Sequence, residues 1–138
     1  MTNRLLIILL CNIVVFELNS ASLFEEQNTI PIAKEVFSLS SNIEMNAALV
    51  SWQIRDGYYM YLDSIEFKYK DELIPFRILE SKKELYKDEF FGETEILRDK
   101  FVISINVNPS LNLSEVFIYY QGCSEAGFCY PMQKNKLL

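Results

Sequence analysis

Apolar residues through the middle of this chain recur at every second position, and that period constrains the fold more than any other feature. Val50, Trp52 and Ile54 fall on one side of an extended segment, with Ser51, Gln53 and Arg55 on the other. Ile65, Phe67 and Tyr69 alternate with Glu66 and Lys68, and Phe101, Ile103, Ile105 and Val107 alternate with Val102, Ser104 and Asn106. Successive side chains of a strand point to opposite faces, so this pattern predicts half-buried strands. Turn residues separate the runs: Asp56-Gly57, Lys70-Asp71, Gly92 and Asn108-Pro109-Ser110. Residues 23–46 are polar and weakly patterned, and they read as an extended arm with a strand near Glu35–Leu39. No segment holds a helical period beyond a turn or two.

Short strands, regular turns and an aromatic-rich core predict an all-β, single-domain antiparallel β-sandwich of the immunoglobulin type. The N-terminus reads as a secretory signal over residues 1–22. Arg4 supplies the positive end, Leu5–Phe16 the apolar run, and Ser20 and Ser22 fit the −3 and −1 positions of a cleavage site. That run falls short of the roughly 20 residues that span a bilayer, which favours cleavage over anchoring. Cys11 leaves with the signal, so residues 23–138 carry two cysteines into a disulfide-permitting compartment. The net charge of −6 argues against nucleic acid and anionic membrane surfaces as partners. With no histidine, Ser-His and Cys-His catalysis and histidine-ligated metal sites are excluded by composition, and no metal or other cofactor is expected.

The two remaining cysteines lie in Tyr119-Tyr120-Gln121-Gly122-Cys123-Ser124-Glu125-Ala126-Gly127-Phe128-Cys129-Tyr130-Pro131. The alternating run Val116, Ile118, Tyr120 predicts that Cys123 ends a strand, and Gly127 can take the positive φ that reverses the chain. Cys129 then opens the return strand, with the two sulfurs within disulfide reach across a hairpin mouth. So short a ring constrains the unfolded chain by only roughly 2–3 kcal/mol. A staple serving stability alone gains more from a longer loop. For an exported β-domain in general, however, a structural disulfide is the ordinary reading.

The cysteine segment resembles the signature of the periplasmic N-terminal domain of the thiol:disulfide interchange protein DsbD, nearly residue for residue. Trp52-Gln53-Ile54-Arg55-Asp56-Gly57-Tyr58-Tyr59-Met60-Tyr61 is similar to that family's second motif, and Asp88-Glu89-Phe90-Phe91-Gly92 to its cap loop. A weaker match runs from Ile30-Pro31-Ile32-Ala33 to Phe37. One departure is Met132 after Pro131, where a second proline is common.

The resemblance implies an immunoglobulin-like redox domain over residues 23–138 whose Cys123–Cys129 pair exchanges with partners. Electrons would come from a thioredoxin-like donor domain. They would pass to oxidised periplasmic thioredoxin-fold proteins, such as disulfide isomerases and cytochrome c maturation factors. A membrane-embedded DsbD-type transporter would be supplied by another chain or by a downstream segment. Such a chain is a protein-disulfide reductase component. In the family the cysteine nearer solvent meets partners, which implies that Cys129 carries the mixed disulfide and Cys123 resolves it; the residues alone rank neither. Phe90 would be a lid over the disulfide. Tyr59 and Tyr61 would lie beside the cysteines, their hydroxyls holding the cap carboxylates, with Phe128 and Tyr130 flanking. Read without the family, Asp88–Gly92 is an acidic hairpin tip with Phe90 or Phe91 tucked into the core. Tyr59 and Tyr61 are then ordinary half-buried sheet residues. The alternative function is an immunoglobulin-like protein-binding module with a purely structural disulfide.

Overall fold

The structure, a computed structural model, describes residues 29–138, so the expected signal peptide and Cys11 lie outside the described residues. The arm opens with one helical turn, α1 (Ala33–Val36), and enters strand β1 (Phe37–Glu44) slightly later than the sequence suggests. Val36 and Phe37 are both fully buried, which anchors this junction. Strand β1 is rich in serine and mostly exposed, and it holds its place by backbone pairing with β2 (Ala47–Ile54) along its whole length. Polar edge strands of this kind show no apolar alternation.

The remaining strands are β3 (Tyr58–Tyr61), β4 (Glu66–Tyr69), β5 (Glu72–Leu73), β6 (Phe76–Asp88), β7 (Gly92–Asn106), β8 (Val116–Tyr120), β9 (Gly122–Ser124), β10 (Phe128–Cys129) and β11 (Gln133–Lys136). They form two antiparallel sheets. The larger runs β1-β2-β7-β3-β9-β10, with β6 on the other side of β7, and the smaller runs β11-β8-β4-β5. Lys70 and Asp71, both at positive φ, make the tight β4–β5 turn.

Between the sheets lie Val50, Trp52 and Ile54 of β2, Phe101, Ile103 and Ile105 of β7, Phe67 of β4 and Val116, Ile118 and Tyr120 of β8. The Trp52 ring meets Phe101 at 5.4 Å on its own sheet, and Tyr120 at 5.7 Å and Phe67 at 6.4 Å on the facing one. This is the immunoglobulin-type sandwich that the alternation predicts. The long β6–β7 hairpin was only half legible: its charged outer half carries no apolar period, and register shifts between Ile78 and Glu80 and between Ser81 and Lys82 bend it. Its tip is the segment Asp88–Gly92.

Strand β3 buries both of its faces. Met60 enters the main core, while Tyr59 and Tyr61 point the other way into a second cluster with Ile96 and Cys123, edged by Tyr86 and Cys129. Strand β7 divides likewise, Leu97 inward and Ile96 outward. This second cluster holds the sulfurs.

Candidate functional site

Cys123 and Cys129 are directly opposite on β9 and β10, with Cα atoms 4.0 Å apart, and they form a disulfide. The hairpin is closed by bonds from the Gly127 amide to the Ser124 carbonyl (3.1 Å) and from the Tyr130 amide to the Gly122 carbonyl (3.0 Å). Gly127 reverses the chain at φ +82°, as its position in the sequence requires. Strand β9 pairs in turn with β3, setting Tyr59 opposite Cys123. Gly122 leaves no room for a side chain: a Cβ there would lie 2.5 Å from both the Phe37 ring and the Tyr59 carbonyl oxygen. Cys123 is fully buried, whereas Cys129 is only partly so.

Tyr61 joins the sulfurs to the loop at the tip of β6–β7. Its hydroxyl oxygen lies 3.0 Å from Cys123 Sγ and 3.9 Å from Cys129 Sγ, and the hydroxyl donates to Asp88 Oδ2. Tyr59 also donates to Asp88 Oδ2, at 3.3 Å. The other carboxylate oxygen, Oδ1, accepts the amides of Phe90 (3.0 Å) and Phe91 (2.6 Å). One carboxylate thus fixes the loop's backbone and fastens it to two tyrosines. Burial by itself lifts the Asp88 carboxyl, but the bonds from Tyr61, the Phe91 and Phe90 amides and Tyr59 outweigh it and hold it below its ordinary range. Burial, reinforced by Asp88, pushes the Tyr61 hydroxyl far up, so it remains a proton donor at neutral pH. Burial also raises Tyr59.

The aromatic pair of the loop is not core: Phe90 is 50% and Phe91 59% exposed. Phe91 packs edge-on against Tyr61 at 4.8 Å. Phe90 and Glu89 border a cleft shared with Tyr59, Ser124, Glu125 and Gly127, on the side of the cysteine turn. The structure brings Cys123, Cys129, Tyr59, Tyr61 and the Asp88–Gly92 loop together at one end of the sandwich's outer face. Phe128 and Tyr130 are a correction to site-lining. Period-2 geometry sends them to the face opposite Cys129, where Tyr130 joins the main core and Phe128 packs against it at 4.6 Å between ring centroids. Tyr130 donates to the Pro31 carbonyl at 2.7 Å, tying the arm to the back of the hairpin.

Arg98 escaped the sequence reading. It pairs with Glu84 of β6 (3.0 Å) and Glu125 of the cysteine turn (2.5 Å), and its guanidinium lies over the rings of Tyr59 (5.6 Å) and Tyr86 (5.7 Å). A strand starting at Gly92 would have put Ile96 and Arg98 on one face and exposed the signal. Among the described residues no cluster of three or more His, Cys, Asp or Glu side chains could hold a metal, and no helix is long and apolar enough to cross a membrane.

Comparison with known proteins gives one answer at each level. Residues 27–138 match the family described as thiol:disulfide interchange protein DsbD, N-terminal. Curated relatives named thiol:disulfide interchange protein DsbD include one from Shigella boydii, 34% identical over 91% of this chain and 22% of the relative. Another, from Cronobacter sakazakii, is 36% identical over 81% of this chain and 20% of the relative. The chain therefore spans about a fifth of the length of these curated relatives. Among solved structures, the Neisseria meningitidis DsbD N-terminal domain in its reduced form is similar at TM-score 0.67 and 25% identity, over 79% of this chain and 88% of that one. The same Neisseria domain in complex with the PilB N-terminal domain matches in fold at TM-score 0.59 and 24% identity, over 80% and 89% of the two chains. From its cysteine hairpin, its Asp88-fastened loop and its match along residues 27–138, the chain belongs to the DsbD N-terminal domain family.

Proposed function

We propose that residues 23–138 form a thiol:disulfide exchange module of the protein-disulfide reductase type, working in the periplasm after removal of residues 1–22. The observation that carries this reading is where the disulfide sits. Cys123–Cys129 lies outside the main core, with Cys129 partly exposed and both sulfurs beside Tyr61, whose hydroxyl is bonded to the carboxylate that fixes the Asp88–Gly92 loop. A staple for stability has no use for such a tethered loop beside it. The reduced Neisseria relative, similar in fold, supports a domain that outlives the opening of its disulfide.

The chemistry follows from the exposure of the two sulfurs. A donor thiolate attacks Cys129 Sγ, the reachable sulfur; the Cys123–Cys129 bond breaks, a donor–Cys129 bond forms, and Cys123 leaves as a thiolate and takes up a proton. The donor's second thiolate then attacks its own sulfur of the mixed disulfide, so the donor leaves oxidised and this domain keeps two electrons as a dithiol. In the second half, the Cys129 thiolate attacks a substrate disulfide and Cys123 resolves it. Until a partner arrives, the Asp88–Gly92 loop, with Phe90 as its lid, keeps small thiols away. The Asp88 charge, one tyrosine hydroxyl from the sulfurs, disfavours a stray thiolate.

The partners that fit are a thioredoxin-like donor domain, which a membrane-embedded DsbD-type transporter would supply with electrons, and oxidised thioredoxin-fold proteins as acceptors. The Neisseria domain in complex with the PilB N-terminal domain supports protein partners at this fold. The test is trapping. Cys123→Ser is expected to accumulate a mixed disulfide at Cys129 with an oxidised thioredoxin-fold protein, and Cys129→Ser to trap poorly. The reverse yields would overturn the order of attack. A reduction potential below about −300 mV would leave a protein-binding domain with a structural staple.

A further inference from the structure

We propose that Arg98 is a positioning residue of the exchange site, a clamp that holds the cysteine hairpin and the cap-bearing hairpin in one register. The inference rests on the exchange reading above and adds to it a residue distant from the sulfurs. The Arg98 side chain is only 17% exposed. A cation so enclosed must be compensated from several sides, and each side here is a different structural element. Glu84 and Tyr86 come from β6, a few residues before the Asp88–Gly92 loop. Tyr59 comes from β3 and donates to the loop's anchor, Asp88. Glu125 comes from the cysteine turn, two residues after Cys123 and four before Cys129, and its amide is held by the Gly57 carbonyl at 2.9 Å.

The cap arm and the cysteine turn both reach Arg98, yet the register pairs β6 with β7 and β9 with β3, so no ladder ties β6 to the cysteine hairpin directly. The ladders that join them run through β7 and β3, so the direct link between the two is made by side chains, and the guanidinium suits this. Its planar fork addresses two carboxylates at once while its face lies on aromatic rings, whereas a lysine ammonium offers a point charge. With the clamp cut, the turn and the cap arm shift independently and the cleft between Phe90 and Gly127 opens toward the sulfurs. Both carboxylates stay about half exposed, where an ion pair stabilises little, so the loss is expected mainly in thiol access, with little change in the melting temperature.

The experiment measures reduction of the Cys123–Cys129 disulfide by glutathione and by dithiothreitol in the wild type, Arg98→Met, Arg98→Lys and Glu125→Gln, with thermal unfolding of each. Arg98→Met should speed reduction about fivefold, close to 1 kcal/mol of barrier at 1.36 kcal/mol per factor of ten. Glu125→Gln, which cuts only the hairpin end and leaves the arginine stack in place, should move the rate the same way and serves if Arg98→Met does not fold. Arg98→Lys should fall between Arg98→Met and the wild type. An unchanged or slower rate in either folded variant overturns the inference, as does a lower melting temperature with unaltered thiol kinetics. A wild-type disulfide that exchanges with a thioredoxin-fold partner alongside inert variants removes the clamp alone; a wild type that exchanges with nothing removes the exchange reading with it.

Discussion

Met60 points into the space between the sheets while Tyr59 and Tyr61 point to the opposite face, so one short strand feeds two interiors of different chemistry. The main interior is apolar and broad. Its one buried side-chain nitrogen without a partner among the described residues is Nε1 of Trp52, tolerated at the centre of a large hydrophobic contact. The second interior is small and polar. Two hydroxyls and a carboxylate satisfy one another around the sulfurs, and an arginine between two glutamates closes the side. The first gains its stability from area removed from water. The second contributes little area and instead holds groups at fixed distances. Stability and reactivity are thus carried by opposite faces of the same strands, and changes on one face should leave the other largely alone.

The strongest way to break that comparison is Trp52→Ala. Truncating a buried aromatic typically costs about 3–5 kcal/mol, so denaturant unfolding should show a large loss. The folded fraction should still react with dithiothreitol at close to the wild-type rate; a large change in that rate would mean the two interiors are coupled. Gly122→Ala comes next because it touches both faces at once. The added Cβ meets the Phe37 ring in the core and the Tyr59 carbonyl behind the site. Overpacking of this kind costs about 1–3 kcal/mol, and here melting temperature and thiol kinetics should change together. A neutral Gly122→Ala would show that β9 can slide on β3.

Smaller effects sharpen the contrast. Phe90→Ala removes a half-exposed ring, so stability should stay within about 0.5 kcal/mol while reduction by glutathione quickens severalfold. A large fall in melting temperature with unchanged kinetics would make Phe90 a packing residue and end its role as lid. The smallest effect concerns acid. The folded Asp88 carboxyl is held below its unfolded value of about 3.9, so its hold on the loop is complete above that value and is lost as pH falls through the folded one. Reduction by a phosphine, which needs no thiolate, should therefore show constant protection at neutral and mildly acidic pH and faster reaction only at acidities below the ordinary aspartate range. Asp88→Asn should abolish that acid limb. An identical limb in the variant would assign it to another group.

How much of this was legible before folding depends on whether a segment's signal is local. The cysteine hairpin is local: an apolar run, a glycine able to take positive φ and two sulfurs in one short stretch. So are the strand at Phe101–Val107 and the β4–β5 turn, whose residues meet neighbours close in sequence or show a clean period. The far end of β1, beyond Leu39, and the outer half of β6–β7 were hidden. Their polar residues pair through the backbone, and backbone pairing leaves no mark in side-chain polarity.

Period 2 settled that Tyr59 and Tyr61 share a face and that Cys129 faces away from Phe128 and Tyr130, because alternation is a property of any strand. It could not say which face would be covered; Phe128 and Tyr130 were set at the site by their place beside Cys129 in the chain, and alternation turns them to the other face. Only tertiary structure folded the tip of a long hairpin back over β3 and β9, placing Asp88 within bonding distance of Tyr59 and Tyr61 across nearly thirty residues of chain. It also enclosed Arg98 between Glu84 and Glu125. The sequence alone determined the strand period, the reversing glycine and the sulfur pair, since each follows from the conformations a few adjacent residues can adopt. The bonds from Tyr59 and Tyr61 to Asp88, the enclosure of Arg98 and the difference in exposure between the two sulfurs depend on where distant segments come to rest, and that is decided by the packing of the whole sheet.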